Sequence, residues 1–106
     1  MKKEDPRQKI DVDGVELLWQ VRHLRVHDNF EGEKGISISV EQKPGRTREL
    51  IIDFPYSAFG RERMPKEKDL IPRLVAAIRA AMEGGWDPES RGRTVRYKVP
   101  APEENA

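Results

Sequence analysis

From Asp69 to Met82 the apolar residues Leu70, Ile71, Leu74, Val75, Ile78, Ala81 and Met82 recur at three- and four-residue spacing, while Arg73, Arg79 and Glu83 point elsewhere. That period lines one face of an α-helix. Asp69 is expected as its N-cap, so that Pro72 falls in the first turn, where a missing N–H costs nothing. A start at Pro65 would leave Pro72 in the helix interior at a cost of about 3 kcal/mol. Gly84-Gly85 can supply the left-handed residue that closes a helix, and Trp86 follows where a hydrophobic contact locks the closure. Burying this face contributes on the order of 10 kcal/mol gross, yet an isolated helix this short is marginal in water. The face needs a partner, and the segments upstream supply a sheet.

Ile10 and Val12 alternate with polar neighbours, Asp13-Gly14 follows, and Val15, Leu17, Trp19 and Val21 alternate again. This is the pattern of a hairpin closed by a two-residue type I′ turn. A rival reading caps a helix with Asp13 and Glu16, but the valines and Trp19 suit a strand. Leu24 and Val26 have the opposite parity to Val21, so a bulge is expected near Arg22 and His23. Asp28 to Lys34 reads as a loop with Phe30 folded onto the domain. Ile36, Ile38 and Val40 then alternate with Ser37, Ser39 and Glu41 in a half-buried strand whose serines are expected on an exposed face. Lys43-Pro44-Gly45-Arg46 fits a type II turn, and Leu50, Ile52 and Phe54 form the inward face of the returning strand, with Glu49 and Asp53 outward. Pro55 to Lys68 is the longest connection, with Tyr56 and Phe59 as anchors. After the helix, Asp87-Pro88 starts a short turn that Gly92 ends, and Val95, Tyr97 and Val99 alternate in a last strand stopped by Pro100.

The elements predict an α+β fold: an antiparallel meander sheet of about four to five strands with one main α-helix packed on one face, in the order β-β-β-β-α-β. The last strand must return by a crossover, with its neighbour left open. Residues 1–9 are expected as a mobile lead-in, 10–100 as one domain and 101–106 as a disordered acidic tail. The 106 residues suffice for one modest core. Twenty Lys and Arg against 19 Asp and Glu leave a net charge of +1, so no global field draws the chain to nucleic acid or to an anionic membrane. There is no cysteine, hence no disulfide, thiolate site or cysteine nucleophile. Neither a signal peptide nor an apolar run of membrane-spanning length is present, and a cytoplasmic protein is expected.

Chemistry-bearing patterns are sparse. His23 and His27 on one strand stand roughly 13 Å apart, too far to share a metal, and both are expected as surface or edge residues. Asp11-Val12-Asp13-Gly14 resembles the middle of a calcium loop, but Lys9 and Gln20 occupy the end ligand positions, so a turn explains it better. Asp28, Glu31 and Glu33 read as a solvated acidic loop. Gly35-Ile36-Ser37-Ile38-Ser39 is one glycine short of a nucleophile elbow and lies inside a strand. No phosphate-loop, dinucleotide-binding or metalloprotease motif occurs. No catalytic residue, metal ligand or cofactor is therefore expected. An enzymatic reading would need a pocket where His23 or His27 meets acidic groups.

The most suggestive local feature follows the helix: Trp86, Arg91, Arg93, Arg96 and Lys98 are a candidate binding surface, with arginines and lysine beside an aromatic ring able to take phosphates and bases. The competing account closes the helix end with Trp86 and gives Arg96 and Lys98 the task of keeping an edge strand from aggregating. Val12-Asp13-Gly14, Trp19-Gln20-Val21-Arg22-His23 and Gly85-Trp86-Asp87-Pro88 resemble an uncharacterised family of small bacterial α+β domains. The resemblance implies the architecture and a bacterial origin and carries over no activity, cofactor or functional residue. The expected role is a non-enzymatic protein-interaction or regulatory module offering its open sheet face or an edge strand to another protein or to its own copy. The alternative is weak RNA or single-stranded DNA binding through the basic strand after the helix.

Overall fold

The computed structural model describes residues 7–25, with the backbone alone at 23–25, together with 35–43, 45–56 and 66–99. Five strands and one helix follow in the expected order: β1 Gln8–Val12, β2 Val15–Arg25, β3 Gly35–Glu41, β4 Leu50–Pro55, α1 Glu67–Glu83 and β5 Val95–Lys98. The strands form one sheet in sequence order. The first four pair antiparallel and β5 runs parallel to β4, so the last strand lies at the sheet edge and the sheet is mixed. β1 starts two residues ahead of the expected Ile10, because Gln8 and Lys9 pair with Trp19 and Leu18.

Local chemistry accounts for the register. Asp13 (φ 54°) and Gly14 (φ 87°) both adopt the left-handed region that a type I′ turn demands. The β2–β3 register shifts between Val21 and His23, which places the bulge at Arg22 and brings Leu24 opposite Ile36. The amide of Arg46 donates to the carbonyl of Lys43 at 2.8 Å with Gly45 at φ 81°, as a type II turn requires. Gly35 has a different reason: a Cβ there would lie 2.0 Å from the Phe54 carbonyl oxygen. Only a residue without a side chain lets β3 approach β4 so closely.

The helix departs from expectation at its start. Lys66, extended and without a side-chain cap bond, occupies the N-cap position, so Asp69 lies inside the first turn with Glu67 and Pro72 falls within the helix. Two acidic residues in that turn complement the positive end of the helix dipole, which favours the earlier start. Lys68, whose carbonyl loses its N–H donor to the proline, is exposed together with Pro72, so that carbonyl lies on the water-facing side. The exit follows the sequence. Trp86 N–H donates to Ala81 O at 2.9 Å and Gly85 N–H to Met82 O at 3.1 Å, with Gly85 at φ 117°. This is the paired closure of a Schellman motif.

One side of the sheet meets the helix. Val12, Leu17, Trp19, Ile36, Ile38, Val40, Leu50, Ile52 and Phe54 pack with Leu70, Leu74, Ala77, Ile78 and Ala81 into a single core that Tyr56 and Trp86 complete. Each such aliphatic side chain contributes about 1.5–3 kcal/mol relative to exposure. Arg79 on the outer side of α1 reaches back to the hairpin, where its guanidinium makes three bonds of 2.9–3.2 Å to the Asp13 carboxylate. Phe30, Phe59 and the acidic loop residues Asp28, Glu31 and Glu33 lie outside the described residues, as does His27.

Candidate interaction surfaces

The sheet side turned away from α1 carries Ser37 and Ser39 of β3, and Ile51 and Asp53 of β4. All four are buried, which corrects the expectation of exposed serines, while Asp53 lies on the outward side as expected but is covered there. The physical reason is a pair of hydrogen-bonded units strung across the strands. Ser37 Oγ donates to Asp53 Oδ1 at 2.6 Å, and Arg96 of β5 donates to the same carboxylate at 2.8 and 3.3 Å. One step along the sheet, Ser39 Oγ donates to Glu49 Oε2 at 2.7 Å, Arg22 reaches that oxygen at 2.9 Å, and the Thr94 hydroxyl meets Oε1 at 3.3 Å. The bulge matters here, because it takes Arg22 out of the regular ladder and lets it reach across β3 to Glu49.

Electrostatics set what these units can do. The hydrogen bond to Asp53 raises the Arg96 pKa above its ordinary value, outweighing an opposing burial effect, and the charge of that carboxylate adds a smaller contribution. The guanidinium and the Ser37 hydroxyl share one carboxylate, which makes Asp53 an ion-pair acceptor rather than a base for Ser37. Hydroxyl, carboxylate and guanidinium thus neutralise one another in place, forming a pre-ordered surface with Arg22 and Arg96 half exposed on its flanks. Among the described residues no three His, Asp or Glu side chains converge as a metal would require.

The candidate residues after the helix differ in their surroundings. Trp86 is 3% exposed, and its Nε1 donates to the Arg48 carbonyl at 3.2 Å, so its ring closes the helix end and is withdrawn from any stacking role. Arg96 is engaged with Asp53. Arg91, Arg93 and Lys98 are exposed. Arg91 instead joins residues distant in sequence: with Gly45, Arg46, Thr47 and Gly92 it lines a shallow depression of about 400 Å³. Arg48 N–H donates to Ser90 O at 2.7 Å and stitches the β3–β4 turn to the lead into β5. Arg46 and Arg48 escaped the sequence reading because only this stitch brings them beside Arg91. His23, on β2, pairs through its backbone with Ser37 of β3.

The two sheet edges differ. In β1, Lys9 and Asp11 are exposed on the side away from the helix, and Asp11 stands directly across from Glu16. In β5 the corresponding residues, Arg96 and Lys98, are both cationic. No helix among the described residues is long and apolar enough to cross a membrane. Comparison with protein-family models, curated proteins and solved structures returns no match, and the surfaces must be read from their own chemistry.

Proposed function

We propose that this protein is a non-enzymatic interaction module of the cytoplasm that pairs with a second copy of itself through the outer edge of β1. The observation that carries the reading is the order of charges along that strand. A two-residue hairpin makes Val12 and Val15 a hydrogen-bonded pair, so Gln8, Ile10 and Val12 turn their backbone groups toward β2 while Lys9 and Asp11 turn theirs outward. A two-fold axis at Ile10 then sets Lys9 of each copy opposite Asp11 of the other, and the outward backbone groups meet in register. Shifting by one repeat either way would oppose Lys9 to Lys9 or Asp11 to Asp11. Charge therefore favours the register centred at Ile10, the only one of the three without a like-charge contact on the axis.

Further support comes from the pair already within each copy. Asp11 faces Glu16 across the hairpin, a like-charge pairing that an incoming Lys9 would relieve. The Lys9–Glu16 pair, at 4.0 Å between two largely exposed groups, competes only weakly. A copy approaching β5 would meet Arg96 and Lys98 with its own cations, which argues against that edge. The contact is small, so a weak, concentration-dependent dimer with a sheet continuous across both copies is the expected form.

Sedimentation equilibrium over a concentration series tests this directly. Lys9→Asp alone and Asp11→Lys alone each replace attraction by repulsion at two symmetry-related positions and should weaken dimerisation about tenfold or more. The double swap Lys9→Asp/Asp11→Lys rebuilds complementary pairs and should restore it. A parent protein that stays monomeric up to about 1 mM, or single swaps without effect, would overturn the reading.

A further inference from the structure

We infer that the depression between the β3–β4 turn and the lead into β5 is a binding site for a phosphate-type oxyanion. Its walls are Gly45, Arg46, Thr47, Arg91 and Gly92. Arg48 stands behind one wall: a Cβ on Gly92 would lie 2.3 Å from Arg48 Nη2 and 3.0 Å from its Cζ, so the guanidinium packs directly against the glycine backbone. Three guanidinium groups from two distant segments are thus gathered at one junction.

Two observations make this more than a basic patch. First, Arg46, Arg48 and Arg91 form no ion pair with any described residue, while Arg22, Arg79 and Arg96 each hold a carboxylate. Three of the described arginines thus hold carboxylates, while three that hold none among the described residues are gathered at one junction. Second, Arg48 Nε is buried without a hydrogen-bond acceptor. An enclosed cationic donor that lacks an acceptor is costly, and an anion close by offsets that cost through its field.

The turn chemistry narrows the ligand. The Gly45 amide already donates to Glu41 Oε2 at 3.3 Å, and Thr47 Oγ1 is held by the Lys43 amide at 3.0 Å. On the turn side the available donors are therefore guanidinium forks, which match the geometry of phosphate oxygens. Gly92, at φ 143°, has a conformation that side chains rarely adopt and keeps the wall thin enough for Arg48 to stand behind it. The depression is open and shallow, as suits one oxyanion group on a larger molecule or a free ion.

Heteronuclear NMR at low ionic strength, following backbone amides and arginine Nε–H resonances, provides the test. Inorganic phosphate should cause saturable shifts confined to residues 45–48 and 90–92, including the Arg48 Nε–H. Arg91→Gln and Arg46→Gln, both at exposed positions, should each weaken binding about tenfold or more at an unchanged thermal midpoint. Arg93→Gln, which removes a cation beside the depression but not from its walls, should leave the affinity unchanged. A short single-stranded oligonucleotide titrated in parallel separates the sources. Tighter saturation at the same residues identifies a phosphodiester chain, and saturation by phosphate alone identifies a free or terminal phosphate. Absence of saturable shifts with both probes, or shifts spread evenly over Arg22, Arg73 and Arg93, would overturn the inference.

Discussion

Replacing Arg96 by Gln should destabilise the protein by an amount that depends on Asp53, and the structure sets the size of that dependence. Asp53 has a side chain 8% exposed and accepts hydrogen bonds from Ser37 at 2.6 Å and from two nitrogens of Arg96 at 2.8 and 3.3 Å. Hydrogen bonds to a charged group contribute about 1.5–3 kcal/mol. Arg96 is half exposed, however, so solvent screens its charge and water can reach one flank of Asp53 once it is gone. The loss in Arg96→Gln is therefore placed at the lower end, about 1–2 kcal/mol. Ser37 is enclosed, no water replaces it, and Ser37→Ala is expected to cost about 2 kcal/mol. The decisive measurement is a double-mutant cycle by urea unfolding, read by the fluorescence of the buried Trp19 and Trp86. In an Asp53→Asn background the carboxylate is absent, so Arg96→Gln should cost less than about 0.5 kcal/mol, giving a coupling of about 1–2 kcal/mol. In the parent background the thermal midpoint should fall by about 5–10 °C. Equal costs in both backgrounds would refute the view that Arg96 acts through the buried carboxylate.

Gly35→Ala drives a Cβ to 2.0 Å from the Phe54 carbonyl oxygen, and because that atom is backbone the strands themselves must separate. A loss of about 2–3 kcal/mol is expected by the same urea assay, and a neutral outcome would show that β3 and β4 do not approach so closely. Pro72→Ala restores the N–H that the interior of α1 lacks at an exposed position and should stabilise the protein by about 1–3 kcal/mol, detectable as a raised thermal midpoint; an unchanged midpoint would count against a helix beginning at Glu67. Asp13 has its pKa lowered, chiefly by the hydrogen bond from Arg79, which outweighs an opposing burial effect, with the Arg79 charge adding a smaller contribution. The unfolded chain therefore takes up this proton first on acidification. The stabilisation is present above the ordinary carboxylate range and lost as pH falls through the folded-state value. The raised pKa of Arg79 adds stabilisation that is fully present at all pH values below the arginine range, so the neutral region stays flat. Asp13→Asn, compatible with the type I′ turn, should flatten the acid limb of stability and leave its pH dependence above about pH 6 unchanged; an unaltered acid slope in denaturant midpoints against pH would refute the assignment.

The sequence made the core side of this fold legible and left its other side ambiguous, for a physical reason. Apolar periodicity reports burial against other apolar groups, so Leu70, Leu74 and Ile78 on the helix and Ile36, Ile38 and Val40 on the strand announce one another's presence. Turn signals were equally direct, because Asp13-Gly14, Gly45 and Gly85 are selected by backbone conformations that few residues adopt. Helix onset was not. Asp69 is as good in the first turn as at the cap, and the rule that shifted the start to accommodate Pro72 overestimated the cost of a proline whose orphaned carbonyl lies on the water-facing side.

The serine-bearing strand shows where the period-two pattern stops carrying information. Alternation of Ser37 and Ser39 with isoleucines identifies the sheet side opposite the helix, but it is silent on whether that side is wet. On a strand at the centre of a five-stranded sheet, residues on other strands decide the matter. Arg22, placed by a bulge, and Arg96, placed by a crossover, lay long side chains toward the carboxylates of Glu49 and Asp53 and leave the hydroxyls beneath enclosed. Among the described residues Arg46, Arg48 and Arg91 meet no carboxylate, for a related reason. The turn and the lead into β5 are joined through bonds such as Arg48 N–H to Ser90 O, so the meeting of their cations is imposed by topology rather than by local pairing. Charges brought together in that way persist at a cost unless something offsets it. At the open face the offset is built into the chain as Asp53 and Glu49, and at the arginine junction it is left to a ligand.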